Sequence, residues 1–229
     1  MPHLPTLFDQ VEGYIAAPVA TLILTLVVLA LMGLAVSAGL RRDPGLVPSQ
    51  KPTLRNFLEI LLEGMGGQME AAIGPEWQRY APVVCTLGLF ILVSNLMGLV
   101  PFFTGPTTFV ETNLAWAVIS FLTYNTIGIR HHGLGYFKRF LGPVPWLIPL
   151  MLPIEIINHL ARLLSLTVRL TANMFADHTL VAIFVTMPLV GFVVPWAMMG
   201  LGLFIAFLQA FIFSYLTVVF IGEALAEAH

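Results

Sequence analysis

The chain has 229 residues, of which 58% are hydrophobic and only 10% are charged; this composition excludes an ordinary soluble domain and indicates a multi-pass membrane protein. Its formal net charge of -2 and the lack of a dense Lys/Arg cluster argue against a nucleic-acid partner. The single cysteine, Cys85, excludes an intrachain disulfide, and no set of His, Cys and Glu has the spacing of a metal site. We therefore expect neither a metal nor a cofactor.

The first apolar run, residues 15–40, has no charged residue and is long enough to cross about 30 Å of hydrocarbon. Arg41 and Arg42 follow it, whereas Asp9 and Glu12 precede it. The positive-inside rule therefore places the N-terminus outside and the following loop in the cytoplasm. Because the run is too long for the core of a signal peptide, we expect a retained first span.

Residues 53–73 show a different pattern, in which apolar side chains recur at helical spacing. Glu59, Glu63 and Glu70 interrupt the segment and exclude a spanning helix. The pattern predicts an amphipathic helix in the cytoplasmic interface, with Thr53 as its N-cap. A helix packed on a partner subunit is an alternative that is compatible with this position.

Two further spans are predicted over residues 80–100 and 113–129. The loop between them has no Lys or Arg, which is typical of the outer side, whereas the next loop carries Arg130, Lys138 and Arg139 and is expected in the cytoplasm. Ser94 and Asn95 lie near the outer end of the first of these spans. Polar residues at such positions often hold helices together, so we favour packing over transport for this pair.

The rest of the chain predicts two long helices, residues 146–187 and 190–222. The first would be about 60 Å long, twice the hydrocarbon thickness, and must tilt steeply, kink or lie nearly flat. The second carries one amide, Gln209, near its middle. We expect one polytopic domain, residues 1–229, in an all-α integral membrane protein. It has five membrane-crossing helices and one interfacial helix, the last two helices form a long tilted hairpin, and the C-terminus is cytoplasmic.

A stripe of polar side chains follows one face of the helix over residues 146–187. At about 100° per residue, six side chains fall within roughly 40° of the direction of Arg169. They are Glu155, Asn158, Arg162, Ser165, Arg169 and Asn173. His159 and Asp177 lie roughly 80° away, and His178 points to about the opposite side. An ion inside a membrane is energetically costly, so this stripe is the leading candidate for a functional site.

Arg169 stays protonated at ordinary pH and needs an opposing charge or water. The nearest acid on its stripe, Glu155, lies about 21 Å along the helix axis, which is too far for an ion pair. The missing counter-charge favours a carboxylate from another subunit. A guanidinium that snorkels to an interface or bonds to helix carbonyls is the alternative. Arg162 on the same face favours a wetted groove over a dry core.

Two segments carry a family resemblance. The run Ser165-Leu-Thr-Val-Arg-Leu-Thr-Ala-Asn-Met, followed later by Leu208-Gln-Ala-Phe-Ile-Phe, resembles the two signature helices of subunit a of rotary F-type ATP synthases. Ser94-Asn-Leu-Met-Gly-Leu-Val-Pro is similar to a motif of that family at the end of an earlier span. The likeness covers nearly the whole chain in order and spacing.

The resemblance implies a proton-translocating stator in a bacterial plasma membrane, with two aqueous half-channels and no catalytic chemistry of its own. Its implied partners are a rotating ring of small proteolipid subunits, each with one membrane carboxylate, and a membrane subunit of the peripheral stalk. Arg169 matches the essential arginine that faces the ring. Glu155 and Ser165 match positions of the cytoplasmic half-channel, to which we also assign Asn158 and Arg162.

For the outer half-channel the resemblance implies Asn173 and Gln209, which match polar positions near the arginine. Many bacterial relatives carry a glutamate where this chain has His178, and a histidine on the last helix where it has Gly202. We therefore assign Asp177 and His178 to the outer path as well, since a histidine ordinarily titrates at about pH 6.5 and suits proton exchange. A packing role of His178 against a neighbouring helix is the alternative.

Three other classes of function compete with this reading. A secondary transporter with an anionic substrate at Arg169 is the main one, but no inverted repeat or matched pair of broken helices is visible. A purely structural anchor has no need of the polar stripe. An intramembrane enzyme requires a Ser/His/Asp or HExxH-type set, which the sequence lacks.

Overall fold

The computed structural model describes residues 17–42, 54–100, 105–137, 148–185 and 193–226. Within these ranges every regular element is helical, which confirms the all-α prediction. Two short 3-10 segments, Pro106–Thr108 and Gly133–Phe137, flank the fourth α-helix. The α-helices are α1 (Ala17–Arg42), α2 (Leu54–Ile73), α3 (Trp77–Gly98), α4 (Val110–His132), α5 (Ile148–Val185) and α6 (Val193–Leu225). The predicted Thr53 cap, the acidic N-terminal tail and most of the charged loops lie outside the described residues.

Four of the described helices are long and apolar enough to cross a membrane. These candidate spans are Pro18–Ala38, Trp77–Gly98, Pro149–Ala176 and Trp196–Leu225. The multi-pass prediction is confirmed at this level. Helix α4, predicted as a further span, is not among the four, because buried polar residues such as Asn113 and Ser120 and a basic end interrupt its apolar character. The count of five crossings therefore stays a prediction.

The two last helices are long, as the sequence predicts. Helix α5 has 38 residues, which corresponds to about 57 Å at the usual rise. Helix α6 continues to Leu225, beyond the predicted end at residue 222, so that Glu223 belongs to the helix and not to a tail. Helix α4 also runs past its predicted end and stops at Gly133, whose positive φ of 58° favours glycine.

Helices α3 and α6 pack closely against each other and run antiparallel. Near one end, Asn95 Nδ2 donates to the carbonyl oxygen of Ala206 at 3.5 Å. Further along, Gly88 lies directly against the Ser214 side chain, where a Cβ atom would clash. Phe213 is fully buried in this contact. The pair forms the centre of the apolar core, and Ser94 and Asn95 are buried there as the packing interpretation requires.

Helix α4 lies beside both of the last two helices. It runs antiparallel to α5, since Asn113 contacts Thr171 and Tyr124 contacts His159. It runs parallel to α6, where the Ser120 and Thr217 hydroxyls lie 2.9 Å apart. These contacts place α4 along most of the length over which α5 and α6 meet.

Helix α2 runs parallel to α6 in a constant register. The rings of Phe57 and Phe207 meet edge to face with centroids 6.1 Å apart. Fifteen residues later on both helices, Gly222 lies against the Ala72 backbone so closely that a Cβ atom would clash. Helix α2 is therefore packed on the rest of the chain and does not stand alone.

Candidate functional site

The predicted polar stripe lies on the accessible side of α5. Its six residues are all at least partly exposed, and they are Glu155, Asn158, Arg162, Ser165, Arg169 and Asn173. A neighbouring side of the same turns, which begins at Leu166 about 60° from Arg169, is buried through Leu166, Thr167, Leu170 and Met174. The polar stripe therefore lies along the edge of the packed face, and exposed apolar residues such as Val168 lie on its other side.

Arg162 forms an ion pair within the chain. Its Nη1 donates to Glu223 Oε2 of α6 at 2.7 Å, and its guanidinium carbon lies 4.8 Å from the ring centre of Phe220. The side chains of Arg162 and Glu223 are 33% and 37% exposed. A guanidinium favours this combination of a carboxylate and an aromatic face. Sequence reasoning missed Glu223 as a partner because it placed this residue in a tail beyond the helix.

Glu155 also has a partner, on the inner side of the stripe. Its Oε1 lies 3.5 Å from His159 Nε2. The other ring nitrogen, Nδ1, is 3.0 Å from the Tyr124 hydroxyl of α4. These three residues, together with Arg162 and Glu223, form what we call the charged cluster, at the end of the bundle where α4 and α6 terminate.

Arg169 differs from Arg162 in its surroundings. It is partly exposed on the same stripe, two helical turns further along α5. Among the described residues no carboxylate forms an ion pair with it. Glu155, about 21 Å away along the axis, is engaged with His159 instead. Arg169 is therefore the cation of the stripe for which the described structure holds no counter-charge.

A second group of polar side chains lies on the other side of Arg169. Asn173 Nδ2 donates to Gln209 Oε1 of α6 at 2.9 Å. Asn113 Nδ2 of α4 donates to Thr171 Oγ1 at 2.8 Å. With Asn95 of α3, these residues form what we call the amide cluster, which joins four helices.

Several polar atoms in and around the amide cluster are buried without a hydrogen-bond partner in the described structure. They include Gln209 Nε2, Asn113 Oδ1, Asn95 Oδ1, Ser94 Oγ and Thr107 Oγ1. Buried polar atoms are nearly always hydrogen-bonded, to protein or to ordered water. Such a concentration of open donors and acceptors in an apolar bundle suits water, which needs two to four polar partners.

The structure brings some predicted site residues together and leaves others apart. Asn173 meets Gln209, and Glu155 and Arg162 belong to one cluster. Asn158 is exposed on the stripe between Glu155 and Arg162, and Ser165 is exposed between the two clusters. Asp177 and His178 are placed on α5 beyond Asn173, but their side chains lie outside what the structure describes. Gly202, where relatives were expected to carry a histidine, is buried on α6.

Six residues of the two clusters were not assigned to the site from the sequence: Asn95, Asn113, Tyr124, His159, Thr171 and Glu223. Glu223 had a usable signal, since it follows Gln209 by about four helical turns and so shares its face. An antiparallel helix pair that joins Asn173 to Gln209 must then bring Arg162 near Glu223. For Tyr124 and His159 no comparable signal exists, because the sequence does not say which face of α4 meets α5.

A bundle of long apolar helices with charged and amide clusters on its inner helices defines a multi-pass membrane protein built around a polar path. Comparison with known proteins then gives the family, since the family model "ATP synthase A chain" matches residues 19–222. The chain belongs to this family, whose members are the proton-translocating membrane subunits of ATP synthases.

The chain aligns with individual relatives over most of their length. The chain is 45% identical over 204 residues to "ATP synthase subunit a 2" of Syntrophotalea carbinolica, covering 89% of this chain and 84% of the relative. It is 42% identical over 204 residues to "ATP synthase subunit a" of Citrifermentans bemidjiense, with 89% and 86% covered. A relative of that name from Geotalea daltonii is 38% identical over 227 residues, with 99% and 95% covered. These relatives do not support the alternative of a secondary transporter.

Proposed function

We propose that this chain is the proton-translocating stator subunit of an F-type ATP synthase, and that Arg169 faces a carboxylate on a ring of proteolipid subunits. The observation that carries the proposal is the position of Arg169: an accessible cation on α5, without a carboxylate partner in the described part of the chain, between two polar clusters. An ionised group of this kind persists inside a membrane only where a partner or water meets it.

The chemistry follows from a fixed cation beside a moving acid. Because a guanidinium stays protonated, it holds an approaching ring carboxylate in its ionised form and favours release of its proton. Once the carboxylate moves away into apolar surroundings, its neutral form is favoured and it takes up a proton. Arg169 thereby also blocks direct proton transfer from one side of the membrane to the other. The chain itself makes and breaks no covalent bond of a substrate.

The two clusters supply the two half-channels of this proposal. The amide cluster, with its unpartnered buried atoms, forms the outer half-channel around Asn173 and Gln209. Asp177 and His178 extend it, because they follow Asn173 on α5. The charged cluster and the exposed stripe residues Asn158 and Ser165 together form the cytoplasmic half-channel.

Five helices cross the membrane in this proposal: α1, α3, α4, α5 and α6. The crossing of α4 is supported by its contacts, which run along α5 and α6 from Asn113 to the His132–Leu225 contact. The orientation is supported by charge, because α1 ends in Arg41 and Arg42, and the basic end of α4 lies beside the C-terminal end of α6. By the positive-inside rule that end is cytoplasmic and the N-terminus is outside.

The steep tilt of the last two helices is supported by α2. Glu59, Glu63 and Glu70 keep α2 in the membrane interface. Helix α6 lies parallel to it from Phe207 to Gly222, a distance of about 22 Å. A helix that follows an interfacial helix over this distance makes a large angle with the membrane normal. Helix α5, which packs antiparallel to α6, shares the tilt and forms a long tilted hairpin with it.

The remaining partners are assigned to other surfaces. Helix α1 contacts α3, for example through Thr25 with Met97, and exposes large apolar side chains including Leu31 at 60% and Leu34 at 65%. This surface suits lipid or the membrane helix of a peripheral-stalk subunit. The face of α5 that carries the polar stripe remains available to the ring of proteolipid subunits.

Replacement of Arg169 tests the proposal. In Arg169→Ala we expect proton-driven ATP synthesis and ATP-driven proton pumping to fall to background, because the ring carboxylate loses its fixed counter-charge. The measurement uses membrane vesicles, with a fluorescent pH probe for pumping and a native gel for assembly. Arg79→Ala is the matched control, since Arg79 is exposed at the start of α3 and should keep normal coupling. Normal synthesis by an assembled Arg169→Ala complex would overturn the proposal.

A further inference from the structure

His159 occupies a position in which both of its ring nitrogens face a group that can hold a proton. Nδ1 lies 3.0 Å from the Tyr124 hydroxyl, and Nε2 lies 3.5 Å from Glu155 Oε1. The imidazole is also held by rings: Tyr124 stacks on it with an interplanar angle of 17°, and Phe121 meets it edge-on at 87°. The ring is therefore oriented, with Nε2 directed toward the carboxylate.

The exposed fraction decreases from Glu155 to His159 and then to Tyr124. The side chain of Glu155 is 29% exposed and that of His159 is 12% exposed, whereas Tyr124 is 3% exposed in the interior. Water on the stripe thus reaches Glu155 first and the imidazole next. Tyr124 packs against Phe121 and Phe220, and these ring contacts hold the hydroxyl that orients the imidazole.

The charged groups that surround His159 come from two of the helices around it. Helix α5 contributes Glu155 and Arg162, and α6 contributes Glu223. Arg162 and Glu223 are 2.7 Å apart and form an ion pair, so among the described residues Glu155 is the carboxylate that lies against the imidazole. An imidazole beside a carboxylate can share one proton with it, and either partner can carry that proton.

We propose that His159 and Glu155 form a proton-exchange site at the cytoplasmic end of the stripe, with Tyr124 as the positioning residue that fixes the imidazole. This inference rests on the proposed function. In the inward step a hydronium ion gives its proton to the Glu155 carboxylate and becomes water. The O–H bond then breaks as His159 Nε2 takes the proton, and the imidazolium releases it from Nε2 to water along the stripe toward Asn158 and Ser165. Proton exit is the reverse sequence.

The test measures how proton pumping depends on the pH of one face of the membrane. Inverted vesicles with the whole complex expose the cytoplasmic face, so its pH can be varied from about 6 to 8, the range in which histidine titrates, while the lumen stays fixed. His159→Gln keeps a hydrogen-bonding side chain that cannot carry the proton. We expect pumping at neutral pH to fall about a hundredfold, at the low end of what a positioned proton donor contributes.

The pH profile separates proton exchange from a structural role. In His159→Gln we expect the midpoint of pumping against cytoplasmic pH to move down and out of the range from about 6 to 8 in which histidine titrates, with no change in the response to lumen pH. Tyr124→Phe keeps the ring packing and should give a smaller shift on the same face. His132→Gln is the matched control: this histidine lies at the same end of α4 against the Leu225 carbonyl and should keep the original profile.

Several outcomes overturn the inference. An assembled His159→Gln complex with an unchanged cytoplasmic profile does so, and so does an equal shift on both faces. If His159→Gln fails to assemble, Glu155→Gln must shift the same profile, and an unchanged profile there overturns the site. Coupled pumping in Arg169→Ala would instead overturn the proposed function. If Arg169→Ala is inactive and the cytoplasmic pH profiles of His159→Gln and Glu155→Gln are both unchanged, the proton-exchange site is overturned and the proposed function is not.

Discussion

Arg162 and Arg169 show how two identical side chains on one helix face acquire different roles. Arg162 is paired with Glu223 and covers Phe220, so its charge is compensated within the chain. Arg169 has no such partner among the described residues and is open to a carboxylate from outside. Arg162 is therefore expected to hold α5 and α6 together, whereas Arg169 is expected to act on the ring.

The Arg162–Glu223 pair gives a prediction about stability. Arg162→Gln and Glu223→Gln should each lower the midpoint of thermal inactivation of ATP-driven pumping, because each removes the ion pair between α5 and α6 and leaves a partly buried charge without it. The double variant should be more stable than the sum of the two losses predicts. We expect a coupling energy of about 1 kcal/mol, since both side chains are about a third exposed and solvent screens the pair.

The control for this cycle is Arg130→Gln combined with Glu223→Gln. Arg130 is exposed at the end of α4, and no ion pair joins it to Glu223 in the described structure. Its effect should therefore add to that of Glu223→Gln without coupling. Strict additivity in the Arg162–Glu223 cycle would show that the pair contributes nothing measurable.

At the scale of elements, α4 shows why apolar content alone does not identify every span. Its polar side chains are mostly turned inward, since Asn113, Ser120 and Tyr124 are buried against α5 and α6, and Leu122 is 56% exposed on the outside. In a helix of this kind, the polar groups form hydrogen bonds with neighbouring helices and the apolar groups face lipid. Its average composition is then a poor guide to its position.

The crossing of α4 can be tested by thiol labelling from each side of the membrane. In a Cys85→Ser background, a cysteine at Glu111 should react with a charged, impermeant reagent added outside, and one at His131 only with reagent added on the cytoplasmic side. Both positions are exposed at opposite ends of the helix. Labelling of both from the same side would contradict five crossings, and the Cys85→Ser chain alone measures the background.

The sequence predicts what is a property of single helices, and it misses what depends on their packing. Hydropathy and helical spacing located the helices and the stripe from Glu155 to Asn173, because one helix contains all of that information. The partners of Arg162 and His159 lie on α6 and α4, and no periodicity within α5 points to them. Apolar surfaces between helices tolerate several registers, so these contacts emerge only when the whole bundle is assembled.

At the scale of the whole molecule, the two clusters lie at opposite ends of the helix group around α5. Asn173 and Glu155 are about 27 Å apart along the axis, and Arg169 lies one turn from Asn173 but four turns from Glu155. Within the described residues no continuous row of hydrogen-bonded side chains joins the two clusters past Arg169. In the proposed function a rotating carboxylate carries the proton from one cluster to the other.

This separation predicts opposite sidedness for the two ends of the stripe. In the Cys85→Ser background, Asn173→Cys should be modified by a small charged thiol reagent only from outside, and Asn158→Cys only from the cytoplasmic face. Each modification should block proton pumping, because it obstructs one of two paths that operate in series. Leu164→Cys is the matched control on α5: its side chain is 56% exposed but lies about 140° from the direction of Arg169, on an apolar face, so it should stay unmodified. Modification of both stripe positions from the same face would mean that one continuous channel passes Arg169, and such a channel would dissipate the proton gradient without driving the ring.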